Sequence, residues 1–384
     1  MLTKNINFIN FKIKKKNKKI NLKLKSLLKE NNSVIQSFRG TYRDSFNKKN
    51  FKSLNKNFDY RIIGMGGSIL GAQAIYDFLK IKIKKNFFFI DNLQSKQKLP
   101  IKKPFNNLVI SKSGNTIETI VNFNTLIKKK DNNLIITENK NNYLRQLANK
   151  LKCEVVDHNN YIGGRYSVLS EVGMLPSELM DLKSKNFRQL NNLIKNKNFL
   201  NALVLNVSNI IFYLKNKKFN SIIINYDESS TNLFNWYQQL VAESLGKNNT
   251  GILPIVSNMP KDNHSVMQLY LDGFQNNFFT FFYVKEKQSI KINNKTIYSD
   301  YSYLKNKDIN QVMYAQKKAT ENVFRKKNIP FRSFEINKRD EKTLGELFCF
   351  LMLETILIGN CLNIDPFNQP AVELIKKETK KILT

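Results

Sequence analysis

Apolar residues recur along this chain in two spacings. Short β-branched and aromatic runs alternate with longer stretches in which apolar positions return every three to four residues. From Tyr60 the order is regular. Arg61-Ile62-Ile63 predicts a strand ending at Gly64, and Ile69 to Leu79 a helix. Phe87 to Ile90 predicts a second strand. Leu108-Val109-Ile110 predicts a third, followed by the polar loop Ser111–Thr116 and a helix through Ile127. Leu134 to Thr137 predicts a fourth, with a helix through Leu151, and Cys153 to Val156 a fifth. Strands alternating with helices predict a parallel sheet covered on both faces.

The alternation resumes further on. Ser221 to Tyr226 predicts a strand, Asp227 to Thr231 a polar loop and Leu233 to Leu245 a helix. Phe278 to Val284 and Phe331 to Ile336 predict strands. Ile309 to Lys326, Leu344 to Leu362 and Ala371 to Leu383 predict helices. The fold class expected is α/β, with two doubly wound parallel-sheet domains and helical N- and C-terminal extensions. The expected division is an N-terminal arm of helix and loop at 1–57, a first domain at 58–185 and a second at 186–384. Ligands are expected at the carboxyl ends of the strands.

Composition narrows the function classes. The charge of +33 comes from 63 Lys and Arg against 30 Asp and Glu, and at first suggests a nucleic-acid binder. Only nine of the basic residues are Arg, however, and the lysines are spread over the whole length. Nucleic-acid readers concentrate Arg, whose planar fork reads phosphate and guanine. Lys, Asn, Ile and Phe all have AT-rich codons, so codon bias accounts for the charge better. The three Cys lack disulfide or metal-ligand spacing, which fits a reducing compartment. Phe348 to Leu362, the longest apolar stretch, carries Glu354 and Asn360 and reads as too short and polar to span a bilayer. The basic segment Lys4–Lys25 lacks the apolar run of a signal peptide. A cytoplasmic protein, bound to neither membrane nor nucleic acid, is the expectation.

Candidate chemistry sits in the loops. Gly64-Met65-Gly66-Gly67-Ser68 joins a strand to a helix, where glycines let a ligand approach the backbone and free N–H groups attract anions. A dinucleotide fingerprint would place its third glycine at Ile69, so that spacing fails; a plain tight turn and a phosphate or sugar loop both remain open. Ser111-Lys112-Ser113-Gly114-Asn115-Thr116 offers three hydroxyls and a Lys at a helix start, more than one N-cap requires. Gln239 and Glu243 share one helix face, and by spacing alone Glu243 reads as a solvated acid at an unfavourable helix end. His264 follows a Pro-Lys-Asp-Asn helix entry, and a lone His there can be structural or proton-exchanging. Arg165 follows a glycine pair.

Taken together, these segments resemble the phosphoglucose isomerase family. The matching runs are Gly-Met-Gly-Gly-Ser-Ile-Leu-Gly at 64–71, Ser-Lys-Ser-Gly-Asn-Thr-Ile-Glu-Thr at 111–119 and Gly-Gly-Arg-Tyr-Ser-Val-Leu-Ser-Glu-Val-Gly at 163–173. Gln-Gln-Leu-Val-Ala-Glu-Ser-Leu-Gly-Lys at 238–247, His-Ser-Val-Met-Gln-Leu-Tyr-Leu-Asp-Gly at 264–273 and Pro-Phe-Asn-Gln-Pro-Ala-Val-Glu-Leu-Ile-Lys at 366–376 complete them, in the family's order. The resemblance implies two sugar-isomerase (SIS-type) domains. It also implies a homodimer, and interconversion of glucose 6-phosphate and fructose 6-phosphate through a cis-enediol without cofactor or metal. By the same resemblance Glu243 is the base and Arg165 the enediolate stabiliser. His264 from the partner subunit and Lys376 open the ring, with Glu118 orienting His264. Gly67, Ser68, Ser111, Lys112, Ser113, Thr116, Gln239 and Gln369 hold substrate and phosphate. A related phosphosugar isomerase that also accepts mannose 6-phosphate is the nearest alternative. A catalytically silent sugar-phosphate sensor or a nucleic-acid binder is the more distant one.

Overall fold

The computed structural model describes residues 1–12, 17–95 and 103–384, and shows two five-stranded sheets. The first contains β2 (Asp59–Gly64), β3 (Phe87–Ile90), β4 (Phe105–Ile110), β5 (Asn132–Glu138) and β6 (Glu154–His158), ordered β3-β2-β4-β5-β6. All its pairings are parallel. The second contains β1 (Ile6–Ile9), β7 (Asn220–Asn225), β8 (Leu253–Asn258), β9 (Asn277–Val284) and β10 (Phe331–Ile336), ordered β1-β10-β9-β7-β8. Both faces of each sheet are covered, so the strands carry continuous apolar runs; β4 and β9 are buried at every position.

Two strands depart from the pattern-based expectation. β8 contains Pro254, which argues against a strand interior. Its place at the sheet edge, paired only with β7, removes the conflict, because one side of an edge strand needs no ladder partner. The other is β1, in the 1–57 segment expected to be helix and loop. It pairs antiparallel with β10 and closes the opposite edge, so this sheet is parallel except at its rim.

One apolar cluster runs between the two halves. It joins Ile62, Leu108 and Ile136 of the first sheet to Phe278 and Phe282 of the second and to Trp236 on the helix Thr231–Leu245, while smaller clusters cover the outer faces of the sheets. The helix Glu341–Cys361 passes through it. That helix is long and apolar enough to cross a membrane, having begun at Glu341 rather than near Phe348, but 89% of its apolar window is buried inside the protein. Its buried Glu354 pairs with Arg332 and accepts from Tyr237 Oη at 2.8 Å. Burial of such a pair is tolerable only when both partners are saturated with hydrogen bonds, as these are. The helices Leu70–Phe78 and Thr231–Leu245 pack on each other where the halves meet. Asn232 donates to Asp77 across that seam at 2.5 Å.

Candidate active site

In the first sheet the chain passes from β2 to β3 on one side and then crosses back to β4 on the other side of β2. The crevice between the carboxyl ends of β2 and β4 is therefore the switch point at which ligands bind in doubly wound sheets. The loops beyond those two strands are the Gly64–Ser68 and Ser111–Thr116 segments singled out from sequence. Gly64 and Ile110 are register partners, so the loops start side by side.

Glycine at 66 and 67 has a specific reason. Gly66 has φ +53°, in the left-handed region, and a Cβ there would come 2.7 Å from Gln239 Nε2. A Cβ on Gly67 would overlap the peptide joining Gly164 to Arg165. The turn after β2 is thus pressed directly against the turn that carries Arg165. Asp91, at the end of β3 where a dinucleotide fold would use an acid, is taken up by Gln73 Nε2 at 2.9 Å.

Arg165 is the centre of the cluster. Its side chain is 1% exposed, yet every face of the guanidinium has an acceptor. Nε donates to Ser244 Oγ at 2.8 Å, Nη2 to the carbonyls of Pro366 (2.7 Å) and Asn368 (3.0 Å), and Nη1 to Glu243 Oε2 at 3.3 Å and to Gln369 Oε1. Trp236 Nε1 donates to the Arg165 carbonyl at 3.1 Å and fixes the backbone. Tyr166, whose hydroxyl burial pushes up to about 12, stays a neutral phenol bonded to Ser244 and Pro366. Only one of these acceptors is a carboxylate. The buried cation therefore keeps a positive field directed at its surroundings, suited to an oxyanion.

Glu243 lies in the last turn of the helix Thr231–Leu245. Its side chain is 28% exposed, and Oε1 accepts from Gln239 Nε2 at 2.8 Å. The solvated-acid reading from spacing does not hold, because tertiary packing brings Arg165 to an end of the helix that would otherwise disfavour a carboxylate. A carboxylate held from one side by an amide and from the other by a guanidinium, and still reachable, can act as a fixed proton acceptor.

The Ser111–Thr116 loop is ordered by internal contacts. Ser111 and Thr116 hydroxyls are paired at 2.9 Å, and Ser113 Oγ accepts from the Asn115 amide at 3.3 Å. Thr116 occupies the N-cap of the helix Ile117–Leu126 without making a side-chain cap bond. The first-turn N–H groups of that helix have no intrahelical acceptor, a natural anion cradle. The Lys112 ammonium turns elsewhere in this state. It pairs with Glu138 Oε1 at 3.4 Å and donates to the Asn160 carbonyl at 2.8 Å. Ser68 is half-buried beside the glycine turn, and Glu118 is half-buried in the first turn after the cradle.

The remaining expected residues are arranged differently. Gln369 is an exposed residue whose Oε1 nevertheless accepts from Arg165, and Lys376 lies on the exposed helix Val372–Leu383. His264 is exposed, in the turn that follows β8. That turn is at the carboxyl end of the second sheet, whereas Glu243 is near its amino end: Gln238 donates to Pro254 at the start of β8, while Thr231 donates to Asn258 at its finish. Glu243 is 12 helical residues beyond Thr231, about 18 Å along the axis. One chain thus does not bring His264 to Glu243. Most of the candidate residues gather at the carboxyl end of the first sheet, and His264 alone among them lies at that end of the second. Sequence reading also missed Ser244, Trp236 and the carbonyls of Pro366 and Asn368, which surround Arg165. Ser244 directly follows Glu243 and the carbonyls lie in the 366–376 run, but a backbone acceptor leaves no signature in residue type. A cavity of about 660 Å³ opens at the amino ends of β9 and β10 and is lined in part by Tyr213, Lys218 and Phe274; its lining includes none of the candidate site residues.

A family model described as Phosphoglucose isomerase matches residues 12–384. Glucose-6-phosphate isomerase of Methanocaldococcus jannaschii is 34% identical over 383 residues, covering 92% of this chain and 90% of that protein. Glucose-6-phosphate isomerase of Mycoplasmopsis pulmonis is 32% identical, covering 84% of this chain and 82% of that one. Among solved structures, a hypothetical protein from Thermus thermophilus superposes with a TM-score of 0.82 at 21% identity, over 95% of this chain and 94% of that one. A glucose-6-phosphate isomerase from Chlamydia trachomatis superposes with a TM-score of 0.65 at 19% identity, over 95% of this chain and 73% of that one.

Proposed function

The chain belongs to the phosphoglucose isomerase family and interconverts glucose 6-phosphate and fructose 6-phosphate, and we propose that it does so by proton transfer at Glu243 beside Arg165. The observation that carries this reading is the pairing itself: a reachable carboxylate 3.3 Å from a fully buried, hydrogen-bond-saturated guanidinium.

In the open-chain aldose, Glu243 takes the proton from C2 and the electron pair moves to the C1 carbonyl oxygen. Arg165 stabilises the charge that develops on the enediolate oxygens. The proton returns from Glu243 to C1, while the C2 hydroxyl proton passes to the C1 oxygen, leaving a hydroxyl on C1 and the carbonyl at C2. One carboxylate can serve both carbons because they are adjacent. The Ser111, Ser113 and Thr116 hydroxyls and the N–H groups at Ile117 anchor the phosphate, with Gly67, Ser68 and Gln239 alongside and Gln369 against the sugar. Phosphate binding energy, remote from the reacting carbons, holds the chain in register. Lys112 would reach the phosphate only by leaving Glu138.

His264 and Lys376 are assigned to ring opening, with Glu118 orienting the imidazole. The position of His264 at the far end of its own sheet supports a homodimer in which each His264 enters the partner subunit's site. A cytoplasmic setting belongs to the same proposal and is supported by the free thiols of Cys153, Cys349 and Cys361.

Isomerising C2-deuterated glucose 6-phosphate in ordinary water tests the chemistry. Deuterium should wash out over repeated turnovers. Full retention at C1 would mean a hydride shift and would remove Glu243 as base. Mixing inactive Glu243→Gln and His264→Ala proteins tests the shared site. Only the mixed dimer holds one site with both residues intact, so about a quarter of wild-type activity should return. No recovery after subunit exchange would place His264 in its own subunit's site.

A further inference from the structure

Beyond its internal contacts, the phosphate cradle is anchored by a second segment. Ser111 N donates to the Ile136 carbonyl at 3.1 Å. The Lys112 carbonyl accepts from Glu138 N at 3.0 Å and Thr137 Oγ1 at 3.2 Å. At the other end Leu144 N donates to the Gly114 carbonyl at 3.2 Å, and Tyr143 N to Asn115 Oδ1 at 3.0 Å. Every one of these anchors lies between Ile136 and Leu144. That stretch is a turn between a strand and a helix, and its own geometry depends on one side chain.

That side chain is Asn142, which is 5% exposed. Its Nδ2 donates to the Lys140 carbonyl at 3.0 Å, Thr137 Oγ1 at 3.2 Å and the Glu138 carbonyl at 3.4 Å. Its Oδ1 accepts from Arg145 N at 3.0 Å and caps the helix Tyr143–Leu151. The same amide lies directly against Gly114. Gly114 has φ +67°, and a Cβ there would overlap Asn142 Oδ1 and Cγ. Asn142 is thus the floor on which the left-handed residue of the cradle rests. A helix cap alone would need the oxygen; the two N–H of Nδ2, shared among three acceptors, and the contact with Gly114 are additional.

We propose that Asn142 is a positioning residue for the phosphate of the substrate. It acts through Gly114 and the 136–144 turn rather than by touching the ligand. This inference rests on the assignment of Ser111–Thr116 as the phosphate cradle. It predicts that loosening Asn142 weakens phosphate binding and leaves proton transfer at Glu243 intact.

Asn142→Ser is the discriminating variant, because Ser is itself a good N-cap and keeps the helix while removing Nδ2 and the floor under Gly114. KM for fructose 6-phosphate should rise about three- to tenfold, the size of one net hydrogen bond, with kcat within twofold of wild type. Competitive inhibition by inorganic phosphate should weaken by the same factor. Gly114→Ala should raise KM as well, and the double variant Asn142→Ser, Gly114→Ala should raise it by less than the product of the two single effects, since the overlap disappears. A kcat loss at unchanged KM, or unchanged inhibition by inorganic phosphate, would reduce Asn142 to a helix cap and overturn the proposal. Wild-type turnover that inorganic phosphate fails to inhibit competitively would instead overturn the cradle assignment itself.

Discussion

Replacing Glu243 with Gln removes one charge and almost no volume. Gln keeps one oxygen, which can accept either from Gln239 Nε2, now at 2.8 Å, or from Arg165 Nη1, now at 3.3 Å, so one of the two bonds is lost. Arg165 retains Ser244, Gln369 and the carbonyls of Pro366 and Asn368, so the buried cation is not stranded. Loss of a partly exposed ionic partner should cost the fold about 1 kcal/mol or less. The chemical step should suffer much more. A positioned base contributes on the order of 10²- to 10⁴-fold, so kcat should fall by at least about 10²-fold. The phosphate cradle belongs to other elements, so KM should change by less than about threefold. A coupled assay detecting glucose 6-phosphate formed from fructose 6-phosphate measures both constants, and urea denaturation measures the fold. Turnover within about tenfold of wild type, in protein with normal stability, would refute Glu243 as the base.

Gly67→Ala forces a methyl into the Gly164–Arg165 peptide, so it should cost about 1–3 kcal/mol of stability by urea denaturation and lower kcat by displacing Arg165. Ser111→Ala breaks the pair with Thr116 and should raise KM for the sugar phosphate with little change in kcat, read in the same coupled assay. Burial, with a further push from the Lys112 charge, depresses the His158 imidazole to about 4, even though Glu138 opposes the shift and Glu171 Oε1 lies 3.5 Å away. Between about pH 6.5 and pH 4 the unfolded chain therefore binds the extra proton, and stability falls as pH is lowered through that window, by at most about 1.4 kcal/mol per unit from this group. His158→Gln should flatten that part of the urea-measured profile; an unchanged slope would assign the loss to other groups. The charge of +33 should also steer a dianionic substrate, so kcat/KM should fall as ionic strength rises; a flat profile would mean that the lysines do not aid encounter.

Local pattern was enough for most of the strands and helices and for the composition of the two loops at the switch point. Runs such as Leu108-Val109-Ile110 and Phe278–Val284 are buried on both faces, and no other local structure accommodates them as well. The glycines at 66 and 67 and the hydroxyls at 111, 113 and 116 mark backbone and anion chemistry that residue type alone can signal. The charge of the chain, by contrast, said little, since the site depends on one buried Arg among many exposed lysines.

What sequence could not decide was set by contacts between distant segments. β8 contradicts local propensity at Pro254 and exists because it is an edge, and β1 exists because β10 leaves one open. Glu243 reads as a surface acid on its own helix and is half-buried only because Arg165, 78 residues earlier, packs against it. Asn142 carries no mark in the sequence of the place its amide takes beneath Gly114. The physical reason is common to all of these. Periodicity and propensity report a residue's interaction with its neighbours along the chain, whereas the pairing of a base with its guanidinium, or of a cradle with its floor, is fixed by burial across elements.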